Sequence, residues 1–294
     1  MPRTTLHDSR TLQWSECGLP DGVPVVFLHG CPDTRRASWS GHEAARRAGV
    51  RLLAANRPGY GASTPAAPSY HQVVDDVAEL ADSLGLEQFA VLGMSVGGTF
   101  ALACAALLPD RVTHATLVGT PGEAPRMDPA YPRDDLDESA RAFFDSLASG
   151  TPEQNLQRLR PDFLAWRAGV DPDDPDDVAL ASRWLASLPP EDRAVVDGPP
   201  AEVAAAARDA IGVPDGYLSD AALAFGRWPF RLEDVRCRVA LWYGERDAQA
   251  PPRNGEWLAE RLTDATLQVE PGLGHLESLV RSWDAVLGSA AGGA

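Results

Sequence analysis

The chain has 294 residues, 44% of them apolar and 23% charged, which suits one large globular α/β domain or such a domain carrying an insertion. A formal net charge of −16 argues against a nucleic-acid partner and against docking on an anionic membrane. Cys17, Cys31, Cys104 and Cys237 are widely spaced and form no CxxC pair, so neither a zinc site nor a disulfide framework is expected. Met1–Glu16 lacks a basic segment followed by an apolar run, and no apolar stretch reaches the roughly 18–20 residues of a membrane span. The expectation is a cytoplasmic protein with reduced thiols, a monomer or homodimer, acting on a small molecule.

In chain order, Thr11–Glu16 reads as a first, edge strand, and the run Val23–Leu28 as a buried strand leading into His29-Gly30-Cys31-Pro32. Arg35–Gly49 has helix-compatible spacing. Val50–Ala55 is a second buried strand, ending at Arg57-Pro58-Gly59-Tyr60-Gly61-Ala62-Ser63. Val73, Val74, Val77, Leu80, Ala81 and Leu84 recur at three and four, which predicts an amphipathic helix over Tyr70–Leu84. Phe89–Leu92 and Val112–Val118 are further strands, with a buried helix from Thr99 to near Pro109 between them. Strands alternating with helices predict a parallel sheet covered on both faces.

The pattern changes after Gly119. Residues 121–232 hold no strand run, only Ala- and Leu-rich segments: Leu136–Ala148, Pro152–Trp166, Asp177–Leu188, Pro200–Ile211 and Ser219–Phe225. This reads as a helical insertion, with Pro121-Gly122 and Trp228-Pro229 as candidate hinges. The acidic run Asp171–Asp177 reads as a solvated connector, because it lacks the Gly and terminal Glu of a calcium loop. The alternation resumes with strands Val239–Tyr243 and Ala265–Val269, helices Pro252–Leu262 and Leu276–Leu287, and a loose tail from Gly288.

The chemistry centres on Gly93-Met94-Ser95-Val96-Gly97-Gly98. A Gly-x-Ser-x-Gly between strand and helix is a nucleophile elbow, a sharp turn that lifts the serine oxygen above the sheet and against a helix N-terminus. The stretch also nearly fits Gly-x-Gly-x-x-Gly, but Ser95 stands where a dinucleotide site needs its middle Gly. A serine hydroxyl needs a base, and histidine suits. With such an elbow the chain order is Ser, acid, His. His7, His29, His42 and His71 precede Ser95, and His114 lies inside a predicted strand; only His275, in a Gly-flanked loop after a strand, fits. Asp247, just past a strand end, is the candidate acid, with Glu245 a close rival and Glu123 a distant one. The expected oxyanion donors are the backbone N–H groups of Val96 and, from the loop after the Val23–Leu28 strand, Cys31. His29 reads as structural, and Gly59 and Gly61 as turn residues.

Five motifs together carry a resemblance: His29-Gly30-x-Pro32, Arg57-Pro58-Gly59-Tyr60-Gly61-x-Ser63, Gly93-x-Ser95-x-Gly97-Gly98, Gly244-x-x-Asp247-x-x-x-Pro251 and Gly272-x-Gly274-His275. The chain resembles the α/β-hydrolase superfamily over about residues 10–120 and 235–290. The resemblance implies an eight-stranded, mostly parallel sheet with helices on both faces, formed by residues 1–120 and 233–294. It also implies a helical cap at 121–232, a Ser95-Asp247-His275 triad, and no metal or cofactor. Asn56 departs from the pattern, since many relatives carry Asp there.

A serine at the elbow, rather than the aspartate of epoxide hydrolases and haloalkane dehalogenases of this fold, indicates attack on an acyl carbon. The expected activity is hydrolysis of an ester or lactone of a small to medium apolar molecule. Carbon–carbon, amide or thioester hydrolysis by the same residues, and a non-hydrolytic biosynthetic or ligand-binding role, are the alternatives. Phe143, Phe144, Trp166, Trp184, Trp228 and Phe230 are candidates for a pocket lining; packing between helices is their ordinary use.

Overall fold

The computed structural model describes residues 2–129 and 136–292. The strands are β1 Arg3–Thr5, β2 Thr11–Gly18, β3 Val23–Leu28, β4 Val50–Ala55, β5 Phe89–Met94, β6 Val112–Val118, β7 Arg238–Gly244 and β8 Ala265–Glu270. They form one eight-stranded sheet in the order β1-β2-β4-β3-β5-β6-β7-β8. The β1–β2 and β2–β4 pairs are antiparallel and all the others parallel. This is the eight-stranded, mostly parallel sheet that the resemblance implies. The edge position expected for the Thr11 strand belongs instead to β1, too short and polar to register as an apolar run.

The core helices are α1 His42–Arg47, α2 Tyr70–Ser83, α3 Val96–Leu107, α10 Arg253–Ala259, α11 Glu277–Val280 and α12 Trp283–Ala290. Alternate side chains of each central strand point to opposite faces, so a doubly covered sheet needs both sets apolar. Val26, Leu28 and Val91 join α2 and α3 in one cluster. Val25, Phe27 and Leu92 join α1 and α12 in the other. The helix expected over Leu276–Leu287 is two: Ser282 N–H returns to Leu279 O at 3.1 Å, and the redirected chain seats Trp283 against Gly41 and Phe27. Arg35–Gly41 is a 3₁₀ segment ahead of a shorter α1.

Between β6 and β7 the described residues hold only helices: α4 Glu138–Ala148, α5 Pro152–Val170, α6 Asp177–Ser187, α7 Pro190–Arg193, α8 Pro200–Ile211 and α9 Pro214–Ala224, with 3₁₀ turns at each end. They enclose their own apolar cluster around Leu159, Phe163, Leu180 and Leu218. The acidic run between α5 and α6 supplies caps and ion pairs. Asp176 caps α6, Asp173 pairs with Arg167 and Asp174 with Arg183. Both strand-to-helix junctions are tied down, Gly122 N–H to Asn254 Oδ1 at 3.0 Å and Trp228 N–H to Glu123 Oε1 at 3.3 Å. Among the described residues no helix is long and apolar enough to cross a membrane.

Candidate active site

Ser95 sits between β5, buried throughout, and α3. Its backbone, φ 53° and ψ −129°, is a conformation that L-residues adopt only when the surroundings impose it. Those surroundings are the Ser95 N–H bond to Val118 O at 2.8 Å and three glycines. A Cβ would stand 2.4 Å from Gly98 Cα at Gly93, 2.1 Å from Leu28 O at Gly97 and 1.8 Å from Thr120 Oγ1 at Gly98. The elbow spacing is thus a packing requirement: the start of α3 lies directly on the ends of β3 and β6.

Asp247 and His275 leave the carboxyl ends of β7 and β8, where parallel sheets present their ligand-binding loops. His275 Nδ1 lies 2.7 Å from Asp247 Oδ2, and both residues are buried. Asp247 Oδ1 accepts the N–H groups of Gln249 at 2.9 Å and Ala250 at 2.8 Å, which turns Oδ2 toward the imidazole. Glu245, the near rival, accepts Gly272 N–H at 2.8 Å and braces the loop that carries His275. Glu123 bonds Trp228 N–H and Arg126. Two contributors had no signal in the sequence. Gly119, at φ +54°, leaves room that a Cβ would take from His275, 3.1 Å away, and from Asp247 Oδ2, 3.2 Å away. Asp192 of α7 accepts Leu276 N–H at 2.9 Å and Gln249 Nε2 at 2.8 Å, clamping both loops at once.

The loop after β3 places Gly30 and Cys31 against the elbow; a Cβ on Gly30 would lie 3.7 Å from Ser95 Cβ. Val96 N–H belongs to the first turn of α3, where no intrahelical acceptor exists. Burial, then the charge of Asp220, pushes the Cys31 thiol well above its usual range, so it stays protonated. His29 is fully buried, and burial, then the Arg57 charge, holds its imidazole neutral. The network assigns its proton to Nδ1, which donates to Gly30 O at 2.8 Å, while Nε2 accepts Arg57 N–H at 3.3 Å. Asn56 takes no part in the Asp–His pair. Its Oδ1 accepts Arg35 N–H and its Nδ2 donates to Gln13.

Two cavities meet at Ser95, Cys31 and Gln249. One, of about 390 Å³, is walled by aromatic residues of α4, α5 and α9, among them Phe143, Phe144, Phe163, Trp166 and Tyr217. The other, of about 410 Å³, is lined by residues that include His275, Met94, Trp184, Leu276, Asp33 and Asp192. Trp228 and Phe230 line neither: they stack on each other at 5.3 Å, and Phe230 packs on Tyr70.

Asp33 yields a stability prediction. Its Oδ1 accepts the Thr34 N–H at 2.7 Å, and burial beside the cavity pushes its carboxyl up to about 6. The folded state therefore holds the proton more tightly than the unfolded chain. Stability falls as pH rises from about 4 through about 6, and the penalty is complete above that. Asp33→Asn should raise unfolding free energy by about 1–3 kcal/mol at pH 7.5, the lower part of that range reflecting its partial exposure, and by about half as much at pH 5. Urea melts at the two pH values measure the difference; an equal effect at both would contradict the assignment.

An α/β-hydrolase family model, described as the alpha/beta hydrolase fold, matches residues 23–281. A pimeloyl-[acyl-carrier protein] methyl ester esterase of Chromobacterium violaceum is 32% identical over 287 residues, covering 91% of this chain and 93% of that one. A proline iminopeptidase of Arabidopsis thaliana is 37% identical over 118 residues, 39% of this chain and 31% of that one. Among solved structures, a hydrolase from Pseudomonas aeruginosa PA01 superposes with a TM-score of 0.69 at 18% identity, covering 99% of this chain and 98% of that chain. The strand order, the elbow between β5 and α3 and the family match over residues 23–281 agree, and the chain belongs to the α/β-hydrolase family of enzymes.

Proposed function

We propose that the chain is a serine esterase or lactonase for small to medium apolar substrates, working through an acyl-enzyme on Ser95. The observation that carries this reading is the shared cavity: Ser95 and His275 open on the same space, and Asp247 backs the imidazole at 2.7 Å. In this mechanism His275 Nε2 takes the Ser95 proton as Oγ attacks the acyl carbon. The Nδ1–H bond to Asp247 stabilises the imidazolium without proton transfer to the carboxylate. The N–H groups of Val96 and Cys31 receive the oxyanion. His275 then protonates the leaving alkoxide, and a water activated by the same nitrogen releases the acid. These steps use no cofactor or metal.

Helices α4–α9 act as a cap, setting specificity through the two chambers beside Ser95. Each chamber falls within the usual few-hundred-Å³ range of ligand pockets, so the substrate divides into an acyl part and a leaving part of modest size. The similarity to an esterase over nearly the whole chain supports ester chemistry. A second reading, amide hydrolysis, draws on the shorter similarity to proline iminopeptidase.

The test is p-nitrophenol release from p-nitrophenyl esters of increasing acyl length. Short and medium chains should turn over and long chains should fall off, with Phe163→Ala shifting the optimum toward longer acyl groups. No turnover of any ester, alongside turnover of aminoacyl p-nitroanilides, would favour the amide reading.

A further inference from the structure

We propose that Arg57 is the positioning residue of the oxyanion loop and that Asp220 of the cap holds it in place, so that core and cap jointly aim the Cys31 N–H. The inference rests on the reading of Ser95 as nucleophile and Cys31 as oxyanion donor.

Peptide geometry makes the argument. The Gly30 carbonyl and the Cys31 N–H belong to one planar trans unit and point in opposite directions. Whatever pins Gly30 O therefore aims the Cys31 N–H. Glycine imposes little on that plane by itself, so the pinning must come from partners. Arg57 supplies it: Nη1 donates to His29 O at 2.6 Å and Nη2 to Gly30 O at 3.0 Å, one guanidinium gripping two consecutive carbonyls. His29 Nδ1 adds a second donor to Gly30 O at 2.8 Å. On the opposite side the loop rests on Gly97, where a Cβ would come within 2.4 Å of His29 O.

The other half of the guanidinium faces the cap. Arg57 Nε and Nη2 contact Asp220 Oδ2 at 3.0 and 2.5 Å, and Tyr60 Oη donates to the same oxygen at 2.7 Å. Asp220 lies in α9, and the pair is almost wholly buried, at 2% and 3% exposure. Burial alone works against the Arg57 charge, but Asp220 overrides it and keeps the guanidinium protonated. The ring of Phe100, 4.8 Å from the guanidinium carbon, fixes its plane. A buried ion pair is a poor source of net stability, and the cap has an apolar core of its own. What the pair does supply is a defined geometry at the two carbonyls behind Cys31.

The discriminating variants are Arg57→Lys and Asp220→Asn. Lysine keeps the charge opposite Asp220 but offers a point donor that cannot hold two carbonyls in a fixed fork. With p-nitrophenyl butyrate, each variant should lose about tenfold or more in kcat while KM stays within about threefold. Inhibition by butane-1-boronic acid, which forms a tetrahedral anion on serine, should weaken by a similar factor. Inhibition by neutral pentan-1-ol should not. A merely structural role predicts a lower melting temperature with boronate and alcohol affinities changed alike, and that result would overturn the proposal. If both variants fail to fold, Tyr60→Phe removes one donor to Asp220 and leaves the ion pair. It should still lower kcat and boronate affinity together by about two- to threefold, and unchanged values would overturn the proposal. An inactive wild type that boronate does not inhibit would instead sink the Ser95 reading, and this proposal with it.

Discussion

Ser95→Ala should lower kcat/KM for p-nitrophenyl butyrate by about 10⁴-fold or more and abolish covalent labelling by a fluorophosphonate. In the proposed mechanism the loss is large because alanine removes the atom that would form the acyl-enzyme; water would have to attack directly, without the proximity the elbow provides. Folding should change little. Alanine fills no new space, and the φ of 53° is imposed by the Val118 carbonyl and the three glycines rather than by the serine hydroxyl. A melting temperature within a few degrees of wild type would confirm that chemistry and not structure was removed. A variant retaining more than about a tenth of wild-type activity after rigorous purification would exclude Ser95 as nucleophile, since a residual rate of that size cannot come from the oxyanion donors alone.

Much of this architecture was legible because each central strand is buried on both faces. Val23–Leu28, Val50–Ala55 and Phe89–Met94 carry almost unbroken apolar runs, and each run ends at a loop rich in Gly and Pro. Ser95 follows the last of these runs and Asp247 and His275 follow β7 and β8, so locating the strands located the loops that carry the candidates. Edges and breaks were less visible. The three residues of β1 pair only with β2 and bury little, so nothing in Arg3–Thr5 marks a strand. The last helix breaks at Arg281 and Ser282 because of where Trp283 must pack, a demand from Gly41 and Phe27 far earlier in the chain.

The supporting residues were hidden for a related reason. Asp192 lies in α7 and Asp220 in α9, and both are nearly fully buried. Their partners are Gln249, Leu276 and Arg57, on loops from distant strands. No spacing rule connects residues 57 and 220. Arg57 was visible only as part of the Arg57-Pro58-Gly59-Tyr60-Gly61 motif, and the motif does not say which carbonyls its guanidinium reaches. Gly59 behaves likewise. Its φ of +84° fits a turn residue, but a Cβ there would also stand 2.6 Å from Gly216 N, so the same glycine admits α9 to the site.

The sharpest separation of position from charge should come from Asp247→Asn, with an expected loss in kcat of about 10³–10⁴-fold at neutral pH and a small change in KM. Asparagine has the volume of aspartate, and its Oδ1 can still accept the N–H groups of Gln249 and Ala250. Those two bonds therefore orient the amide with its NH₂ where Oδ2 stood, facing His275 Nδ1 at the position of the 2.7 Å contact. An NH₂ donates, so Nδ1 must accept, and the imidazole proton is forced onto Nε2. That nitrogen can then no longer act as the base that the proposed mechanism sets against Ser95. The geometry survives and the tautomer is reversed. Asp247→Ala should cost less than Asp247→Asn if the reversed tautomer, rather than the lost charge, dominates, because an empty position leaves the ring free to choose. Activity of Asp247→Asn within tenfold of wild type would move the acid elsewhere and leave the contact at His275 a matter of packing.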